Sequence, residues 1–259
     1  MTAPVFLAEA GSLAGCVAGS AYVLGGAEGR HAAVVQRRSA GERVDVVDGA
    51  GVRLVGTVEA AGADGVLVRV TDRIDEPRPG VTLVLVQALA KGDRDELAIE
   101  AATEVGVDAV LPWQAERSIV VWRADRAAKS HARWQGTVRA ATKQARRAWM
   151  PTVELAVDGR ELAARVRSVV SGGGAALVLH EEATVPLALA ALPAPNGRAG
   201  AVELLVVVGP EGGISDRELA ALTGAGALPV RLGPHVLRTS TAGPVALALL
   251  CDRLGRWPH

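Results

Sequence analysis

The chain has 259 residues, enough for one large domain or two modest ones with a sizeable core. Its 28 Lys and Arg balance 28 Asp and Glu, so overall charge argues for neither a membrane surface nor nucleic acid, and the apolar-rich, aromatic-poor composition is that of a folded soluble protein. No apolar run approaches the ~18 residues that span a bilayer, no basic leader precedes an apolar stretch, and Cys16 and Cys251 are isolated; together these exclude a membrane span, a disulfide framework and a structural zinc, and place the chain in a reducing cytoplasm.

Residues 1–72 read as β-rich. Short apolar runs at 44–47, 53–55 and 66–68 are separated by the turn sequences Asp48-Gly49-Ala50-Gly51 and Ala63-Asp64-Gly65, a spacing that suggests a small barrel. The polar, proline-rich stretch 73–80 marks a domain boundary, so the second domain takes 73–259. From Val81 strands and helices alternate: a strand at 81–86, a helix near 93–105, a strand at 109–111, a long helix near 125–147, a strand at 153–157 and a helix near 159–169. Then come strands at 176–179 and 202–208, a helix capped by Ser215 with Glu218 three residues on, a strand at 229–232 and a helix from about 241 to 253. The pattern predicts an α/β fold with a mostly parallel sheet and helices on both faces. Segments 171–174 and 193–200 are loops by composition.

Three strand ends in the C-terminal third carry unusual residues: Leu179-His180-Glu181-Glu182, Val208-Gly209-Pro210-Glu211-Gly212-Gly213, and Leu232-Gly233 with Val236-Leu237-Arg238-Thr239-Ser240-Thr241. Open α/β sheets bind ligands at the C-terminal ends of their strands, and glycines let backbone approach a flat ligand closely. If the three strands are neighbours, their ends form one pocket. The loop matches neither phosphate-binding glycine motif, and Glu211 at its centre would repel a polyphosphate. A ligand with positive charge, or with amine and ring donors, suits it better.

Between Arg117 and Arg147 the chain carries Arg117, Arg123, Arg126, Lys129, Arg133, Arg139, Lys143, Arg146 and Arg147 against a single acid, Asp125, a stripe able to track a phosphate backbone. Trp122, Trp134 and Trp149 beside it offer either base stacking or ordinary packing. Lys91 and Arg94 stand at another strand end and join the same RNA-contacting set. The five histidines lack the spacing of a metal site, and no metal is expected.

In order and spacing the chain resembles the ribosomal RNA small subunit methyltransferase E family of the SPOUT superfamily. The resemblance rests on His31 with Arg37-Arg38 and Gly41-Glu42, Lys91-Gly92-Asp93-Arg94, Ala102-Thr103-Glu104-Val105-Gly106, Glu116-Arg117-Ser118, Lys143-Gln144 with Arg146-Arg147, Met150-Pro151, the loop 209–213, and Leu232-Gly233 with Leu237-Arg238-Thr239. It implies a PUA-like RNA-binding barrel over 1–72, a catalytic domain with a C-terminal trefoil knot over 73–259, a homodimer, and transfer of a methyl group from S-adenosylmethionine to uridine N3 in 16S ribosomal RNA. The three loops would hold the cofactor, while Arg37, Arg38, Lys91, Arg94, Arg117, Lys143, Arg146 and Arg147 would contact RNA. Arg238 is the candidate for stabilising the uracil anion, and Glu211, with Glu181 as the other acid, for assisting proton removal. Three features depart from the family pattern: Ala101, where many relatives carry lysine; Ser240, often acidic in relatives; and Met1-Thr2-Ala3-Pro4, which lacks an arginine common near the family's N-terminus. The residues alone leave open a related enzyme acting on a ribose 2′-oxygen or on another RNA, and a non-catalytic RNA-binding assembly protein.

Overall fold

The computed structural model describes residues 3–123, 125–194 and 201–257, and the chain divides into two compact units. Part of the loop expected at 193–200 therefore lies outside the described residues. The first unit comprises Met1–Arg78 and Thr142–Met150, and the second Pro79–Ala141 and Pro151–His259.

In the first unit, β1 (Val5–Leu7), β2 (Ala21–Leu24), β3 (Arg43–Val47), β4 (Val52–Gly62) and β5 (Gly65–Asp75) form one sheet in the order β1-β3-β4-β5-β2, with the short helix α1 (Gly26–Arg30) after β2. Alternate positions on the strands, among them Val44, Val46, Leu54, Val66, Val68 and Val70, close around Phe6 and Leu13, as the two-residue period of a strand requires. The β3–β4 turn is built on Asp48, whose Oδ1 accepts the N–H groups of Ala50 (2.8 Å) and Val52 (3.1 Å). Gly51 in that turn has φ +101°, and a Cβ there would lie 2.4 Å from Cζ2 of Trp149. Trp149 is packing in this unit, not a stacking platform: its Nε1 donates to the carbonyl of Glu76 (2.9 Å) and the Arg78 guanidinium lies 4.4 Å from its ring centre. Because β5 runs on to Asp75, the unit ends after Arg78, later than the expected boundary at 72. It also recruits Ala148 and Met150, which pack with Val5, Leu7 and Val47.

In the second unit, β6 (Val81–Ala88), α2 (Arg94–Val105), β7 (Ala109–Gln114), α3 (Asp125–Gln144), β8 (Thr152–Val153), β9 (Val157–Asp158) and α4 (Gly159–Ser171) are followed by β10 (Ala175–Leu179), β11 (Val202–Val208), α5 (Asp216–Gly224), β12 (Leu228–Val230) and α6 (Thr239–Arg253). The strands form a seven-stranded sheet in the order β12-β10-β11-β6-β7-β8, with β9 also on β7, and each pairing is parallel. Both faces are covered. Leu83, Leu85, Leu204 and Val206 pack with Ile99 of α2, Trp134 of α3 and Leu247 and Leu250 of α6, while Val84, Val86, Leu205 and Val207 pack with Leu162 and Val166 of α4 and Leu222 of α5. This double burial explains the uninterrupted apolar runs of β6 and β11.

Two expectations are corrected. The strand expected at 153–157 is two short strands, with Leu155 between them 78% exposed. The long helix stops at Gln144, not Arg147, because Arg146 takes a left-handed backbone with φ +56°. Among the described residues no helix is long and apolar enough to cross a membrane.

Candidate active site

The strand order brings β12, β10 and β11 side by side, and parallel pairing puts their three C-terminal ends on one edge. There a cavity of about 430 Å³ opens, within the roughly 300–1,000 Å³ usual for small-molecule sites. Leu179, His180 and Glu181 line it from the end of β10; Val208, Gly209, Pro210, Glu211, Gly213 and Ile214 from the end of β11; and Val236, Leu237, Arg238, Thr239 and Ala242 from the start of α6, with Arg94 opposite. Of the residues expected at a cofactor site, Gly212, Leu232, Gly233 and Thr241 do not line it.

Local sequence builds this cavity through close approach. A Cβ on Gly209 would come within 2.7 Å of Cγ1 of Ile214, so the chain can fold back over the strand end only with glycine there. Gly213 completes the turn at φ +73°, its N–H donating to the carbonyl of Pro210 (2.9 Å). Ser215 then caps α5 in a capping box with Glu218, as the sequence predicts. Gly243 lets α6 approach the sheet, where a Cβ would meet Leu85 Cδ1 at 2.9 Å.

Thr239 ties the parts together. Its Oγ1 donates to the Gly209 carbonyl (2.8 Å) and accepts from Nε2 of Gln87 (3.0 Å) at the end of β6. Gln87 is fully buried, and its Oε1 has no partner among the described residues. Sequence reasoning missed Gln87, although a lone amide closing an otherwise apolar strand was the signal. It also missed the brace behind the loop: Glu116 accepts from Ser215 Oγ (2.6 Å) and from Arg217, its N–H donates to Glu218 (2.8 Å), and Nη1 of Arg117 donates to the Gly212 carbonyl (3.2 Å). The Ser215 and Arg217 bonds hold the Glu116 carboxyl below its ordinary range.

The charges divide unequally. Glu211 accepts from Nη1 of Arg94 (2.8 Å) and from the N–H of Lys91 (3.2 Å). Partial burial pushes its carboxyl up, but its own backbone N–H, Arg94 and the Lys91 N–H outweigh that, and its pKa lies below the usual value. A carboxylate so engaged is a weak base. Arg238, which precedes the first turn of α6, is exposed and has no side-chain partner among the described residues. Glu181 is likewise exposed, and Nδ1 of His180 accepts the Glu182 N–H (3.3 Å). At the start of α6 the N–H groups of Thr241 and Ala242 donate to the Arg238 carbonyl (2.8 and 2.9 Å). The unpaired guanidinium of Arg238 and the carboxylates of Glu181 and Glu211 thus line a pocket of cofactor size, which fits a ligand carrying both cationic and acceptor groups, as S-adenosylmethionine does.

The residues expected to contact RNA do not form a single set. In the first unit, Arg37 is exposed with φ +52° and no partner for its guanidinium among the described residues, Arg38 is paired with Glu42 (2.9 Å), and Lys143 is paired with Glu28 (2.9 Å). Arg146 and Arg147 also belong there, and the Arg146 carbonyl accepts from Arg53 (2.7 Å). In the second unit, Lys91 is exposed beside the cavity, whereas Arg94 and Arg117 are tied to the loop itself. Trp134 is buried and meets Trp122 edge to face, ring centres 5.1 Å apart, so both pack rather than offer a stacking face.

Comparison with known proteins follows this geometry. The RNA methyltransferase domain family matches residues 77–251. A Mycobacterium bovis protein named ribosomal RNA small subunit methyltransferase E is 48% identical over 92% of this chain and 89% of its own, and the Bacillus subtilis protein of the same name is 28% identical over 88% and 89%. The crystal structure of a ribosomal RNA small subunit methyltransferase E from Neisseria gonorrhoeae bound to S-adenosyl methionine superposes with a TM-score of 0.81 at 26% identity, covering 97% of this chain and 98% of that one. With a family match that spans the second unit's sheet and 48% identity to the Mycobacterium bovis relative over 241 aligned residues, the chain belongs to the ribosomal RNA small subunit methyltransferase E family.

Proposed function

We propose that the protein transfers a methyl group from S-adenosylmethionine to N3 of a uridine in the 16S RNA of the small ribosomal subunit. The observation that carries this reading is the cavity at the adjoining ends of β10, β11 and β12 with the unpaired Arg238 at its rim. S-adenosylmethionine, when bound, supplies an already activated methyl group, so the chain's task is to position the acceptor and make it nucleophilic. Leu179, Val208, Val236 and Leu237 give apolar walls, and the loop 209–213 gives backbone donors and acceptors. Uracil N3 becomes nucleophilic when it loses its proton. The guanidinium of Arg238 would stabilise the resulting charge on N3 and the flanking carbonyl oxygens. Glu211, held by Arg94, is better suited to fixing the loop than to taking that proton, which leaves Glu181 as the freer acid at the cavity.

The finer features of the family complete the reading: a PUA-like barrel in the first unit that holds RNA, a trefoil knot in the C-terminal part of the second, and a homodimer. The exposed Leu97 on α2 and Val245 and Leu249 on α6, two helices that pack on one face of the sheet, support the last. Exposed Arg37 supports RNA contact on the first unit. The test is methyl transfer from labelled S-adenosylmethionine to small subunits from a strain lacking the protein, followed by nucleoside analysis. Appearance of 3-methyluridine supports the reading. Label on a ribose 2′-oxygen would replace it with the related chemistry, and no transfer or cofactor binding would leave an RNA-binding protein.

A further inference from the structure

A second groove, of about 710 Å³, lies on the other face of the sheet, between the N-terminal halves of α4 and α5 and the segment that leaves β7. Small residues, the buried Ala163 and the exposed Ala164 and Ala221, are part of its lining, and α4 and α5 draw together at Gly159, where a Cβ would meet Oε1 of Glu218 at 3.3 Å. Three carboxylates line it, and each is already engaged. Asp158 caps α4 by accepting from Glu161 N (2.8 Å), Glu218 accepts from the N–H groups of Glu116 and Ser215, and Glu116 is held by Ser215 and Arg217. Asp158 and Glu218 also sit in the first turns of helices, whose partial positive charge offsets theirs.

What remains unsatisfied is of one kind. Arg160 and Arg167 are exposed, line the groove and have no partner among the described residues, and Oγ of Ser118 lacks a partner too. Seven residues apart on α4, the two arginines share a face with about 10 Å between them along the axis. Positive fork-shaped donors beside small lining residues complement phosphodiester groups flanking a nucleotide laid into the groove. The groove is also joined to the active site. Ser215 and Glu218, which belong to its charge network, are the residues that anchor the far end of the loop 209–213.

We infer that this groove, gripped by Arg160 and Arg167, binds a stretch of the RNA substrate outside the target nucleotide, a reading that rests on the proposed function. The test compares wild type, Arg160→Ala with Arg167→Ala, and Ala164→Trp in methyl transfer to unmodified small-subunit RNA at several salt concentrations. The arginine double variant is expected to raise KM for RNA by about tenfold or more and to shrink the slope of log affinity against log salt by about 1.4, with kcat and S-adenosylmethionine affinity unchanged. Ala164→Trp, which puts bulk into the groove's lining without altering charge, is expected to raise KM similarly. If wild type methylates RNA and the double variant matches its KM and salt slope, the inference is overturned while the proposed function stands; an unchanged KM for Ala164→Trp overturns the seating of a nucleotide in the groove. If wild type neither binds nor methylates RNA, the proposed function fails and this inference with it.

Discussion

Thr239→Val replaces the hydroxyl that joins three segments with a methyl group of nearly the same size. The substitution removes the bond to the Gly209 carbonyl (2.8 Å) and the bond from Gln87 Nε2 (3.0 Å), and Thr239 is only 7% exposed, so water does not readily replace either. Gln87 would then keep only a 3.3 Å contact to the Ala88 carbonyl, with its Oε1 already unpartnered. Burying polar groups without partners costs about 1–3 kcal/mol each, and because Gln87 Nε2 keeps its Ala88 contact the second loss falls at the low end, so the variant should lose about 2–4 kcal/mol. For a chain of this size that is roughly 4–16 °C in Tm. The assay is thermal unfolding with and without S-adenosylmethionine. Thr239→Ser keeps the hydroxyl and should lose about 1 kcal/mol or less, through its missing methyl group. A Thr239→Val protein as stable as wild type, or a Thr239→Ser protein that falls as far, would refute the account of Thr239 as the hydrogen-bonded hub of the cavity.

Other perturbations separate stability from function. Burial raises the Asp95 carboxyl to about 6, against weaker lowering by the Ala90 N–H and Arg133. Because the folded state then binds its proton more tightly than the unfolded chain, this group costs stability as pH rises from about 4 to about 6. The wild-type minus Asp95→Asn difference in denaturant unfolding should therefore decline across that window and stay flat above it; a difference without slope would contradict the burial argument. Lys143→Ala should lower the Tm with little change in RNA affinity, since Lys143 pairs with the largely buried Glu28 (2.9 Å). Arg37→Ala should do the reverse, as read by RNA binding and unfolding in parallel.

Much of this was legible in the chain, and the physics says which parts. The β6 and β11 runs read as interior strands because both faces of the sheet are covered, and the Ser215–Glu218 spacing gave the start of α5 outright. The glycines of the loop 209–213 marked a close approach that the Gly209 and Gly213 geometry displays. Long-range pairing was not legible. Nothing local says that Lys143 meets Glu28, that Arg94 meets Glu211, or that 142–150 pack with the first unit, since each depends on partners far away in sequence. The basic stripe misled for the same reason: charges that read as one face are divided between two units, and several are spent on internal bonds. The helix overrun to Arg147 reflects a left-handed arginine, which composition does not announce.

The central claim is that Arg238, unpaired at the rim of the strand-end cavity, promotes methyl transfer by stabilising the deprotonated uracil. The direct measurement is the single-turnover rate of methyl transfer to unmodified small subunits, at saturating RNA and S-adenosylmethionine, for wild type and Arg238→Ala across pH. The account predicts a rate lower by about 10²–10³-fold with cofactor affinity and Tm little changed, and a rate that continues to rise up to higher pH than the wild-type rate does, because N3 must then lose its proton unaided. Full turnover by Arg238→Ala with an unaltered pH profile would contradict it.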